Sequence, residues 1–229
     1  MTDEQPTGLA ATPILDLRHP RVRALAAEVR AAAPGPGRGL LVAAHRLIAA
    51  RIRPVYAMDD TQPVSRTLLR GRGSCSQRLA VLEAVARCCA VPTRVRGLLV
   101  DGRFWHARFP RLRPLVPSRV VLAWPEFRLA GRWVPVSELY GSQDAPSCAA
   151  PFTNTGAETL FDAVARTAVD WDGGGGPSCD LSGHVLADLG RFGSRDALFR
   201  EHGQTLCGPA RVAADLVMSR RGASGRKAN

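Results

Sequence analysis

The chain has 229 residues, 45% of them hydrophobic, which is enough to bury one substantial core. Its formal charge is +11, but Lys227 is the only lysine, and the arginines are spread along the chain with no nucleic-acid-binding motif. That charge suits an acidic protein partner or a phosphorylated substrate arm rather than nucleic acid. No apolar run is long enough to span a bilayer and no signal peptide is evident. The six cysteines are irregularly spaced, none at zinc-ligand spacing, so a cytoplasmic, reduced protein without metal or cofactor is expected.

Residues 1–13 are polar, contain Pro6 and Pro13, and are expected to be disordered. Over 14–33 the apolar residues Leu17, Val22, Leu25, Ala26 and Val29 recur at mostly helical spacing, with an interruption near Pro20 and a breaker at Pro34-Gly-Pro-Gly37. A second helix is expected over 39–53, stopped by Pro54; His45 lies beside its apolar stripe and reads as a packed or surface histidine. After a loop over 57–63, Ser65 caps a short turn.

The next stretch, Gly71-Arg-Gly-Ser-Cys-Ser-Gln77, reads as a glycine turn that delivers Cys75 to a helix start. Ser74 is a natural N-cap and Gln77 completes a capping box, which puts Cys75 at the first helical position. With the positive end of the helix dipole there and Arg70, Arg72 and Arg78 nearby, the thiol is expected to have a depressed pKa, as a nucleophile requires. Cys88 and Cys89, mid-helix with no turn before them, read as packed residues. Pro92 ends this helix.

From 93 the period changes to that of strands. A strand over 93–100, a hairpin turn at Asp101-Gly102 and a returning strand over 103–109 are expected, followed by a Pro- and Arg-rich loop. Segments 119–129 and 132–140 flank Ala130-Gly131 and read as an antiparallel pair. Beyond the loop containing Pro146 and Pro151, helices are expected over 158–169, from Asp180 or Ser182 through Leu189, from Ser194 through His202, and from Pro209 to about Ser219; the tail from Arg220 is expected to be disordered. The glycines at 173–176 form a break rather than a phosphate loop, since no Gly-Lys-Ser/Thr follows.

Three motifs in order, the Gly71–Gln77 stretch, Ala90-Val-Pro-Thr-Arg94 and Leu122-Ala-Trp-Pro-Glu126 running on to Trp133-Val-Pro-Val-Ser137, make roughly residues 40–140 resemble the bacterial transglutaminase-like superfamily. The resemblance implies an α+β fold: a core over 14–140 with N-terminal helices, a nucleophile helix packed on an antiparallel sheet, and a helical C-terminal extension over 141–219. It also implies a papain-like cysteine core, in which Cys attacks a carbonyl, His takes its proton and Asp orients the His. Only Cys75 carries over, because Leu122 stands at the His position and Ser137 at the Asp position.

A leucine moves no proton, so a catalytic version needs another base. The candidates are His106 with Asp101 across the expected turn, His184, and Glu126, which shares a strand face with Leu122 and Trp124. Gln77, Arg72, Trp105 and Trp124 are candidate substrate contacts. Relatives suggest acyl transfer, amide formation or ring closure on a small-molecule or carrier-tethered substrate in natural-product biosynthesis, with an acidic carrier protein as partner. The rival reading is a binding or scaffold module that kept the fold and lost the triad.

Overall fold

The structure, a computed structural model, describes residues 8–56, 59–110, 113–140, 152–155, 158–174 and 179–204. Cys148, Cys207, the helix expected from Pro209 and the tail from Arg220 lie outside the described residues. Helix α1, Pro20–Ala32, begins at the proline instead of crossing it: at the first helical position the missing N–H costs nothing and φ is already helical. The His19 ring accepts the Arg21 N–H at 3.2 Å, and Val22, Leu25, Ala26 and Val29 form the buried stripe. Helix α2, Arg38–Arg51, buries Leu40, Leu41, Ala44, His45 and Ile48 and passes into a short strand β1, Arg53–Pro54. Helix α3, Val64–Arg70, stops at Gly71, whose φ of 58° is left-handed and free of a Cβ penalty there. Strand β2, Arg72–Gly73, runs parallel to β1 and leads directly into helix α4, Cys75–Cys88.

Helix α4 is buried on every side from Gln77 to Arg87, which makes it the axis of the molecule. Helices α1, α2 and α3 all pack on it. Against it also lies an antiparallel sheet in the order β5-β4-β3-β8, formed by β3, Thr93–Asp101, β4, Arg119–Leu129, β5, Arg132–Pro135, and β8, Val185–Phe192. Leu98 pairs with Leu122 and Gly97 with Ala123 in the β3–β4 ladder. The short helix α5, Leu160–Ala163, and a small parallel pair, β6, Val169–Asp170, with β7, Cys179–Asp180, lie between β5 and β8 in the chain. Helix α6, Arg195–His202, follows, capped as expected by Ser194, whose Oγ accepts the Ala197 N–H at 3.1 Å. At the N-terminal side, the Gly8 carbonyl accepts the Thr93 N–H at 2.9 Å, and the Ala10 carbonyl accepts from Arg87 at 2.6 Å.

Four expectations are corrected. Asp101-Gly102 is not a hairpin turn, and 103–109 is not a strand: Gly102–Trp105 form a 3-10 turn. A side chain at Gly102 would overlap the Pro117 carbonyl, so this glycine serves a close backbone approach. The segment from Ser182 through Leu189 is not a helix; only a 3-10 turn at Ser182–His184 precedes β8, whose alternating partial burial has a period of two, and Gly190 sits at φ 92°. The strand expected over 132–140 stops at Pro135 and becomes a 3-10 turn, Val136–Glu138. The helix expected over 158–169 is the single turn of α5, followed by β6.

What seats α6 on the core is charge. Arg195, with 0% of its surface exposed, donates to Glu83 Oε1 at 2.5 Å, to Ser76 Oγ at 3.0 Å and to the Ala123 carbonyl at 3.2 Å. Glu83 is equally buried; burial pushes its carboxyl up, against the opposing pull of Arg195 and Arg87. Gly97 makes room for the same helix, since an added Cβ there would lie 2.6 Å from Leu198 Cδ1. Removing one partner strands a buried ionisable group, so Arg195→Ala is expected to cost about 3–5 kcal/mol in urea unfolding. The double variant Arg195→Met with Glu83→Leu is expected to recover most of that loss; equal destabilisation by both would contradict the assignment.

Candidate functional site

Cys75 occupies the first position of α4 as expected. Ser74 Oγ accepts the Gln77 N–H at 3.2 Å, and Gln77 Oε1 accepts the Ser74 N–H at 3.1 Å, closing the capping box. Gln77 Nε2 is spent on the Asp59 carbonyl at 2.7 Å, so this side chain is built into the loop before α3.

The electrostatics are the reverse of the expectation. Burial pushes the Cys75 thiol up to about 12, although Arg78, Arg195 and the Phe161 backbone N–H all favour the thiolate, because withdrawal from water outweighs them. Some surface of Cys75 remains accessible, yet its sulfur faces α5 instead of open solvent. One of the arginines expected to activate it is engaged elsewhere: Arg70 donates to Gln62 Oε1 at 3.0 Å.

Helix α5 supplies the cover. Thr159 starts it, and Asp162 accepts the Thr159 N–H at 3.1 Å and its hydroxyl at 2.6 Å. Asp162 also takes two bonds from Arg78, at 3.1 and 2.9 Å, which is the bidentate geometry of a strong ion pair. Burial alone would raise the Asp162 carboxyl, but Arg78 and Thr159 hold it below its ordinary value of 3.8. The Arg78 guanidinium lies 4.1 Å from the Phe161 ring centroid, and the His45 ring stacks on the same ring at 4.1 Å. His45 Nε2 lies 2.6 Å from the Phe161 carbonyl and Nδ1 lies 2.9 Å from the Tyr140 hydroxyl. A carbonyl only accepts, so Nε2 carries the proton and Nδ1 accepts from Tyr140. Burial lowers the His45 pKa to about 4, so the ring is neutral at physiological pH.

The other expected residues are elsewhere. Asp101 turns to Arg103, accepting its N–H at 2.8 Å and its Nε at 2.7 Å, and does not pair with His106, which follows the 3-10 turn. His184 rests on Phe104, with ring centroids 5.1 Å apart, just before Val185, which pairs with Val100. Trp105 also packs on Phe104 at 4.8 Å, and Trp124 reaches this aromatic group through Trp171 at 5.5 Å. Glu126 is bound by Arg94 at 2.5 Å and Arg191 at 3.4 Å. Leu122 is buried opposite Leu98, and Ser137 is buried in the Val136–Glu138 turn. The structure therefore joins Cys75 to Arg78, Phe161, Asp162 and Arg195, leaves Gln77 tied to Ser74 and Asp59 and Asp101 to Arg103, and sets Trp105 and His184 on Phe104. Neither the Asp162 nor the Arg195 contact was foreseen. Thr159-Leu-Phe-Asp162 is a readable capping pattern, whereas nothing local announces Arg195. Among the described residues no cluster of three or more metal-ligating side chains occurs, and no helix is long and apolar enough to cross a membrane.

A helix-start cysteine, the helices before it and the antiparallel strands after it define a cysteine-centred α+β core. The chain belongs to the transglutaminase-like superfamily, whose family model matches residues 23–137. No curated protein and no solved structure was found to match.

Because the folded Asp162 pKa lies below 3.8, the stabilisation it gives is present above the unfolded value and disappears as pH falls through the folded one. Asp162→Asn is accordingly expected to lower the urea midpoint at pH 7, with the gap to the parent narrowing only as pH falls below 3.8.

Proposed function

We propose that this chain is a transglutaminase-fold module that works by binding and has given up the thiolate chemistry associated with its superfamily. The observation that carries this reading is the setting of Cys75. Its strongest neighbours are Arg78, Asp162, the Phe161 backbone and Arg195, none of them an imidazole, and burial holds the thiol neutral. By the resemblance, Leu122 and Ser137 fill the positions of the proton acceptor and its orienting carboxylate. His45, which stacks on Phe161, has both ring nitrogens engaged by Phe161 and Tyr140. A neutral thiol without a base does not attack a carbonyl at a useful rate.

A second reading keeps the cysteine as a nucleophile for acyl transfer, amide formation or ring closure, on a small-molecule or carrier-tethered substrate of a natural-product pathway. What favours it is specific. Cys75 keeps accessible surface at a capped helix start, with two guanidiniums and one N–H acting toward the thiolate. A displacement of α5 on substrate binding would rehydrate the thiol and bring its pKa down. An acidic carrier protein remains the partner that the net charge of +11 suits.

The two readings separate in the pH profile of alkylation at Cys75, followed by peptide mass spectrometry. In the folded chain Cys75 is expected to react more slowly than in the urea-unfolded chain at every pH below about 10, and to accelerate only above it. Rapid labelling at pH 7 would overturn the binding-module reading and restore the nucleophile.

A further inference from the structure

The far end of α4 carries a second feature, distant from Cys75. Cys88 lies 13 residues beyond Cys75 on a helix that rises about 1.5 Å per residue, so the two are separated by about 20 Å. Here α1 and the segment before it form, with Cys88, an open cleft of about 850 Å³. Leu17 and Ala27 contribute apolar surface, and Arg18, Arg23 and Arg30 are among its lining residues. The Cys88 thiol points to the Leu17 carbonyl at 3.8 Å, while Arg30 donates to the Cys88 carbonyl at 3.0 Å.

The charge of this cleft is uncompensated. No carboxylate lines it, and none of Arg18, Arg23 and Arg30 forms an ion pair among the described residues. The acid on α1, Glu28, is taken by Arg51 of α2. Three like charges around one opening repel each other, and an anion placed among them relieves that repulsion. An apolar lining with a few convergent polar groups, in a volume within the range of about 300–1,000 Å³ typical of small-ligand sites, is the usual make-up of a small-molecule site.

We propose that this cleft binds an amphiphilic organic anion: a small molecule whose apolar body lies against Leu17, Ala27 and Cys88 and whose carboxylate, sulfonate or phosphate is held by Arg18 and Arg23. Arg30, tied to the Cys88 carbonyl, shapes the cleft and adds its charge. The assignment is independent of what Cys75 does.

The probe is 1-anilinonaphthalene-8-sulfonate, titrated by fluorescence into the folded full chain, with maleimide labelling of Cys88 read by fragment ions that separate it from Cys89. One saturable site is expected, weakened by salt. Arg18→Ala with Arg23→Ala is expected to weaken it roughly tenfold or more, in line with the loss of charge-assisted contacts. Both residues are exposed, so circular dichroism should be unchanged in the double variant. Bound probe is expected to slow labelling of Cys88. The proposal is overturned by the absence of saturable binding, by equal affinity in the double variant, or by unchanged labelling of Cys88. An oligoglutamate peptide that displaces the probe, depends on the same arginines and leaves Cys88 labelled at its free rate would make this a protein-docking face, and would overturn it as well.

Discussion

The fold depends on one buried guanidinium. Arg195 enters the core from α6, which lies outside the span of 23–137 that the family model matches, and reaches three parts of that span at once: the middle of α4 through Glu83, its first turn through Ser76, and the centre of the sheet through the Ala123 carbonyl. The next residue extends the attachment, because Asp196 accepts the Ile14 N–H at 3.1 Å and so fixes the segment leading to α1. Taking a guanidinium and a carboxylate out of water is costly, and their attraction offsets that cost only when further hydrogen bonds satisfy the remaining donors. Here Ser76 and Ala123 accept from the guanidinium, while Glu83 Oε2 is buried without a hydrogen-bond partner among the described residues. Helix α6 thus completes the packing of the superfamily core.

Completion of the core has a consequence for the cysteine. A helix start contributes typically about 0.3–1 kcal/mol to an anion, and up to about 2 in favourable geometry. Raising a thiol from 9.0 to about 12 disfavours the thiolate by roughly 4 kcal/mol. The second effect is the larger, so the same capped helix start that would activate an open thiol leaves this one protonated. The difference comes from α5, whose position is fixed by the Arg78–Asp162 pair and by the Phe161 ring, which packs against the Arg78 guanidinium and the His45 ring. Arg78, which stands close enough to Cys75 to favour its ionisation, is mainly employed in holding the cover that prevents it.

This explains which parts of the molecule were legible in the sequence. The capping box at Ser74 and Gln77, the placement of Cys75 and the cap at Ser194 are set by residues within four positions of one another and are found as read, and the pairing around Ala130-Gly131 is found with its second strand cut short at Pro135. The burial of α4 was legible from its continuous apolar run. The strand β8 was not, because Val185-Leu-Ala-Asp-Leu carries strong helix formers and owes its state to pairing with β3, about ninety residues earlier. The thiol was misjudged for a similar reason. Helix dipole and neighbouring arginines are visible locally, while desolvation by a helix more than eighty residues away is not. His45, read as a packed or surface histidine, is packed, and gave no sign that it would stack on the residue covering Cys75.

The two ends of α4 show how one buried helix can present opposite environments. At its start, the positive backbone end is covered by α5; Arg78 is matched there by Asp162, and Arg195, which bonds Ser76 of the first turn, is matched by Glu83 in the middle of the helix. At its end, the carbonyl groups carry partial negative charge and attract cations. Arg30 answers that directly by donating to the Cys88 carbonyl, and Arg23 and Arg18 stand beside it without acidic partners. Arg78 and Arg195 are therefore paired beside Cys75, while Arg18, Arg23 and Arg30 are left without acidic partners where α1 meets the last turn of α4. An anion drawn to this chain finds the deficit of negative charge at the second location, and the position of the matched and unmatched arginines decides this more than the net charge does.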